Sequence, residues 1–186
     1  MARVKGTALR TTVDFLKAHM SAEEFQALVG TLTKEEQELA TSPVLLSGWY
    51  DFALLRKMMR LAEGKVHLKT GHSVPWEMGR ASADATLNTI YKIFFKVADM
   101  NFIVRKAAYL YPTLYDSGVM EIVDLQNNRT VIRIKDFNDP SAEFCQRMQG
   151  WMQRTAELAG YKRVSLEHPL CKARGDAYCE YHGRWE

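Results

Sequence analysis

The chain has 186 residues, 25 of them basic and 22 acidic, for a net charge of +3, and 47% are hydrophobic. That length suits a single domain, the balanced composition argues against disorder, and the slight basic excess gives no electrostatic footprint for a nucleic acid. No apolar run approaches the roughly 18 residues needed to cross a bilayer. The opening Met1-Ala2-Arg3-Val4-Lys5-Gly6 has no apolar signal core behind it. A cytoplasmic protein without a membrane span is therefore expected.

The first two-thirds reads as helical. Leu9, Val13, Leu16 and Met20 form a helical stripe between Val4 and roughly Met20. Ser21 with Glu24, and Thr33 with Glu36, are capping-box pairs that open two short helices, the first ending near Gly30. A further helix is predicted from Trp49 to Ala62 on the spacing of Phe52, Leu55, Met58 and Met59, with Gly64 as its stop. The stretch from Lys65 to Pro75 reads as a loop. From Trp76 to about Leu114 the chain turns helical again, as two or three helices, with Leu87, Ile90, Tyr91, Phe94 and Phe95 on one apolar face.

The period then changes. Val119–Leu125 and Thr130–Lys135 are rich in β-branched residues and flank an Asn127-Asn128 turn, the pattern of a hairpin. A helix capped by Asp139 or Ser141 runs to about Ala159 and stops at Gly160. Strands of about Tyr161–His168 and Tyr178–Trp185 close the chain. The fold class is α+β: a helical layer, then hairpin, helix and hairpin, giving an antiparallel sheet of about four strands.

The chain has three cysteines. An odd number cannot pair completely, and a reducing cytosol disfavours disulfides, so buried thiols, reactive thiols and metal ligands remain. Cys145 points from its helix towards the core with Met148 and Met152, and Cys171 and Cys179 flank the last turn. His168 and Cys179 share the strand face on which that helix packs, although Pro169 could end the strand at His168. Three thiolates and an imidazole are a tetrahedral zinc set. Three thiols packed as small hydrophobes are the plain alternative.

The run Arg174-Gly-Asp-Ala-Tyr-Cys-Glu-Tyr181 after Cys171 resembles the closing motif of V4R (4-vinyl reductase) domains. Their superfamily includes haem-nitric-oxide-binding domains and subunits of the TRAPP vesicle-tethering complex. Leu110-Tyr-Pro-Thr-Leu-Tyr-Asp-Ser-Gly-Val-Met-Glu-Ile122 is similar to the family's approach to its first hairpin. The resemblance covers about Asn88 to Trp185 and implies a V4R-like core at 88–186 behind a helical extension at 1–87, within one domain. Val4-Lys-Gly and Ser47-Gly48-Trp49-Tyr50 resemble a paralogous family of myxobacterial proteins related to the same fold.

In phenol-sensing V4R activators, zinc is held by a helix cysteine, an acidic residue and two later cysteines. The resemblance implies Cys145, Cys171 and Cys179 as ligands and puts His168 where the family has its carboxylate; neighbouring Glu167 is the other candidate. It also implies an apolar pocket for an aromatic or acyl ligand, with Phe94, Phe95, Phe102, Tyr109, Tyr111, Tyr115 and Trp151 as candidate lining. Core packing is the plain alternative for such aromatics. Haem is not expected, because the haem-binding relatives use a Tyr-x-Ser-x-Arg motif that Tyr115-Asp-Ser-Gly resembles only superficially. His67 and His72 are read as solvated loop residues.

No nucleophile elbow, phosphate-binding loop or zinc-protease motif occurs, and Asp51, Glu63, Glu77 and Asp84 are spaced like solvated helix faces. A non-enzymatic ligand sensor with a structural zinc, acting through a homodimer or a partner protein, is therefore expected. A ligand-free scaffold using an exposed patch of Trp49, Tyr50, Met58 and Met59 is the alternative, and a reductase accessory enzyme a further one.

Overall fold

The computed structural model describes residues 1–68, 70–87 and 99–186. The chain opens with a strand, β1 (Arg3–Lys5), which leads directly into α1 (Gly6–His19). Next come α2 (Ala22–Val29) and α3 (Lys34–Thr41), each opened by a complete capping box. Ser21 and Thr33 accept from the backbone N–H groups of Glu24 and Glu36, whose carboxylates accept in return from the cap N–H groups. A short strand, β2 (Trp49–Asp51), precedes α4 (Phe52–Glu63). The Asp51 carboxylate caps α4 by accepting from the Ala53 N–H at 2.9 Å.

The two three-residue strands depart from the sequence expectation, which ran helices through Val4 and from Trp49. They pair antiparallel, Val4 opposite Tyr50, and Val4 also bridges Tyr115. Strands so short carry no periodicity, and Asp51 reads as an ordinary first-turn acid until its capping bond is seen.

α5 (Val74–Leu87) begins inside the stretch read as a loop, with Pro75 in its first turn, where a missing N–H costs nothing. α6 (Met100–Leu114) follows, capped by Asp99. The apolar face assigned to Ile90, Tyr91, Phe94 and Phe95 lies outside the described residues.

The second half matches the expected order. β3 (Val119–Gln126) and β4 (Arg129–Lys135) form a hairpin. α7 (Ala142–Leu158) follows, and of the two caps considered it is Ser141 whose hydroxyl accepts from Phe144 N–H. β5 (Ser165–Leu170) and β6 (Cys179–Arg184) complete a four-stranded antiparallel sheet in the order β3-β4-β6-β5. β5 continues through Pro169 instead of ending at His168. It is an edge strand with a register shift between Glu167 and Leu170, where a missing N–H is tolerated.

The core is continuous from the N-terminal helices to the sheet. Phe52, Phe137, Phe144 and Tyr115 pack edge-on and face-on at its centre, with ring centroids 4.2–6.1 Å apart. Met58 and Met59 are fully buried in it and take no part in the exposed apolar patch expected of them, whereas Trp49 of the same set is exposed. Their helix presents both methionines to the core because α1, α5 and α7 pack around it. No described helix is long and apolar enough to cross a membrane.

Candidate metal centre and apolar cavity

Three elements deliver the sulfur cluster. α7 projects Cys145 from its first turn towards the sheet, β5 carries His168, and the β5–β6 turn is bounded by Cys171 and Cys179. A 3-10 turn over Lys172–Arg174 folds the connection back on itself, ending at Gly175 with φ of 101°. Cys171 N–H donates to the Asp176 carboxylate at 2.6 Å, and Arg174 donates to the carbonyls of His168 and Pro169 at 3.1 and 3.0 Å. The loop is therefore tied at both ends before any metal is considered.

Cys145 Sγ lies 3.4 Å from Cys179 Sγ and 3.6 Å from Cys171 Sγ. Together with a ring nitrogen of His168, the candidate ligand atoms all lie within 4.8 Å of one another. All three cysteines are buried and unpaired. Sulfurs on a tetrahedral zinc with bonds of about 2.3 Å stand about 3.8 Å apart, so the spacing suits that ion. Disulfide sulfurs would instead sit at roughly 2 Å.

The electrostatics point the same way. The Cys145 S–H hydrogen-bonds Cys179 and lowers its pKa, and nearby His168 and the Lys172 backbone N–H, 3.4 Å from the sulfur, add to this. Cys145 is pushed up in turn by that hydrogen bond and by burial. The pocket thus favours a thiolate at Cys179, the form that ligates metal. His168 is stacked on Tyr181 at 4.4 Å between centroids, and its Nε2 is buried without a hydrogen-bond partner. A buried imidazole nitrogen that makes no hydrogen bond of standard geometry, yet lies close enough to Cys179 to favour its thiolate, suits a ligand position beside three thiols. Glu167, the other candidate, is exposed and lies opposite His182 in the sheet.

A cavity of about 50 Å³ lies between α6, α7 and the inner face of the sheet. Its lining is apolar, with Met100, Ile103, Trp151, Met152, Leu166 and Trp185 among its walls. Of the aromatics expected at a ligand site, Trp151 lines this cavity. Tyr111 and Tyr115 are buried and stacked on each other at 5.1 Å, away from it. Phe102 and Tyr109 are 54% and 70% exposed on α6, and Phe94 and Phe95 lie outside the described residues. Sequence reasoning missed Met100, Met152 and Trp185, because methionines at helical spacing read as core and Trp185 as a terminal strand residue. His72 is stacked on Trp76 at 3.8 Å, and His67 is exposed.

No family model matches the chain. No curated protein matches it either. Solved structures do. An H-NOX protein from S. oneidensis in the Fe(II)NO ligation state superposes with a TM-score of 0.71 at 14% identity, over 98% of this chain and 99% of that one. The Fe(II) unliganded H-NOX protein from K. algicida gives 0.65 at 13%, over 98% and 96%. A structure from work on modulating haem redox potential through protein-induced porphyrin distortion gives 0.67 at 11%, over 98% and 95%.

These matches correct the expectation that haem has no place here. That expectation rested on one missing motif, whereas the fold is shared along nearly its whole length with haem proteins. The described lining of the cavity supplies no imidazole, thiolate or phenolate for iron, and about 50 Å³ is small beside the roughly 300–1,000 Å³ of ordinary ligand pockets. At 11–14% identity the likeness establishes that the chain has the H-NOX fold.

Proposed function

We propose that the protein is a small-molecule-binding sensor module whose C-terminal hairpin is clasped to α7 by a structural zinc ion. The carrying observation is the convergence of Cys145, His168, Cys171 and Cys179 within 4.8 Å, with the imidazole Nε2 buried and making no hydrogen bond of standard geometry. When bound, zinc would supply a fourfold cross-link with no open position for substrate, which makes it structural. The residues themselves fix what that clasp joins. Cys145 belongs to the helix that walls one side of the cavity, and Cys179 opens the strand that carries Gly183 and leads to Trp185 on the other.

The sensor part rests on the shared fold and on the cavity. Its walls are flexible thioethers, indoles and aliphatic chains, which repack around a small apolar guest more readily than a rigid wall would. An aromatic or acyl ligand suits the chemistry of that lining, and the cavity of about 50 Å³ would have to widen to admit one.

Elemental analysis tests the clasp. One zinc per chain in wild-type protein, lost in Cys179→Ser, is expected. Freshly reduced wild-type protein without metal would overturn it. Titration with haemin and with small aromatic compounds, followed by absorbance and by Trp151 and Trp185 fluorescence, tests the cavity. A Soret band would identify the guest as haem, and quenching by an aromatic compound would identify the apolar class.

A further inference from the structure

The motifs Val4-Lys-Gly and Ser47-Gly-Trp-Tyr play no part in the metal site or the cavity. The structure brings them together. β1 and β2 pair, Gly6 N–H donates to the Gly48 carbonyl at 3.0 Å, and Gly48 N–H donates to Leu45 O at 2.9 Å. Leu45 N–H donates to the Tyr50 hydroxyl at 3.0 Å, and Lys5 Nζ donates to Ser47 O at 2.9 Å. A Cβ on Gly6 would drive into the Leu45 carbonyl, so the loop fits only against a glycine.

This tightly held loop turns its apolar side chains outward. Leu45 and Leu46 are 67% and 51% exposed, beside the exposed Trp49 of β2. A loop that flexed could bury two leucines against the core; this one is bonded into showing them. A rigid, preorganised apolar tip centred on a tryptophan is the composition of an interface hot spot.

The charges around it select the occupant. On the outward face of the two strands Arg3 lies opposite Asp51 and Lys5 opposite Trp49, with the Lys5 ammonium 4.0 Å from the indole centroid. Asp116 joins the rim, paired with Arg3 at 2.7 Å. Both signs therefore border one apolar tip. Two basic and two acidic groups leave the rim with no net charge, so it offers no electrostatic attraction to an anionic membrane or to a wholly acidic partner. A two-fold contact requires the same surface to complement itself, which a mixed rim does.

We infer that the Leu45–Trp49 tip is a homodimer interface, in which the leucines and Trp49 of two copies pack together inside rims that each carry both signs and so leave no like-charge repulsion between the copies. The inference is independent of the metal clasp and of the cavity.

Sedimentation velocity tests it at about 100 μM, where a dimer of micromolar Kd is saturated. Wild-type protein is expected to sediment as a dimer, and Leu46→Lys as a monomer with unchanged circular dichroism and zinc content. Should Leu46→Lys fail to fold, benzoylphenylalanine at position 46 is expected to photocross-link two copies. A monomeric wild type overturns the inference, as does a dimer that survives Leu46→Lys. A monomer that floats with phosphatidylserine vesicles also overturns it, and assigns the tip to a membrane.

Discussion

Gly79 and Gly150 cross at backbone contact. A Cβ on Gly79 would collide with the Arg147 carbonyl, and one on Gly150 with the Trp76 carbonyl. The pair therefore sets how closely α5 approaches α7, the helix that holds Cys145 and walls the cavity.

Replacing either glycine by alanine pits two effects against each other. Alanine gains about 1 kcal/mol of helix propensity over glycine. The new methyl meets backbone, which cannot rotate away, and overpacking typically costs about 1–3 kcal/mol. Gly79→Ala and Gly150→Ala are both expected to be destabilising, by about 1–2 kcal/mol net. The double variant is expected to cost less than the sum, because the first separation of the helices relieves the second clash. Urea unfolding of the four proteins measures this. A stabilised Gly150→Ala would show that the helices separate freely.

The fourth ligand separates by substitution at adjacent residues. The His168 Nε2 is buried beside the thiols without a hydrogen bond of standard geometry, whereas Glu167 lies on the opposite, outward face. His168→Asp is expected to retain zinc, since a carboxylate oxygen also ligates it, and His168→Ala to weaken it at least tenfold, on the order of the losses seen when a zinc site is impaired. Glu167→Gln is expected to change nothing. Competition with a chromophoric chelator gives the three affinities, and loss of metal in Glu167→Gln would move the site to that residue.

Different parts of this arrangement were legible in the sequence for different physical reasons. The capping boxes at Ser21 and Thr33 were readable because both partners lie within four residues. The hairpin–helix–hairpin order was readable from the change in hydrophobic period after Leu114. Face parity on β5 and β6 brought His168 and Cys179 together, and the helical repeat aimed Cys145 at them. What escaped depends on distant contacts. β1 and β2 are partners far apart in the chain, with Val4 opposite Tyr50 across 46 residues at the centre of the ladder. The glycine crossing joins positions whose spacing carries no local pattern. The cavity walls were missed for the same reason, since Met100 and Trp185 meet only through the tertiary fold.

Glu36 gives a pH prediction. Its carboxylate accepts from Lys57 Nζ at 2.7 Å and from Thr33 N–H at 2.8 Å, and these bonds hold its pKa below the ordinary value against a small desolvation. A depressed carboxylate stabilises the fold above its unfolded-state pKa, and that stability is lost as pH falls through the folded-state pKa. Glu36→Gln is expected to cost about 0.5 kcal/mol at neutral pH, as for a half-exposed ion pair. The cost is expected to vanish in acid below the ordinary carboxylate range. Chemical denaturation of both proteins across pH 2–7 checks this. A cost that persists at the acid end would assign the effect to the cap alone.

Arg147 is 2% exposed, and among the described residues no carboxylate pairs with it. Its guanidinium donates to Thr12 Oγ1 at 2.9 Å and, more loosely, to Thr11 Oγ1 and the Ala8 carbonyl at 3.3 Å, and it faces the buried Tyr115 hydroxyl. Burial lowers the Arg147 pKa and raises that of Tyr115. A buried cation with only neutral partners depends on every hydrogen bond it has. Thr12→Val removes the shortest and leaves a charged donor unpaired, at a cost of about 2–3 kcal/mol. Arg147→Met removes the charge with its desolvation penalty, so it is expected to cost less than Thr12→Val. In the double variant neither the unmet donor nor the buried charge remains, and the coupling energy of the cycle is expected to be favourable by 1 kcal/mol or more, on the order seen for residues in one network. If Arg147→Met proves the costlier single change, the side chain's packing between α1 and α7 outweighs its charge.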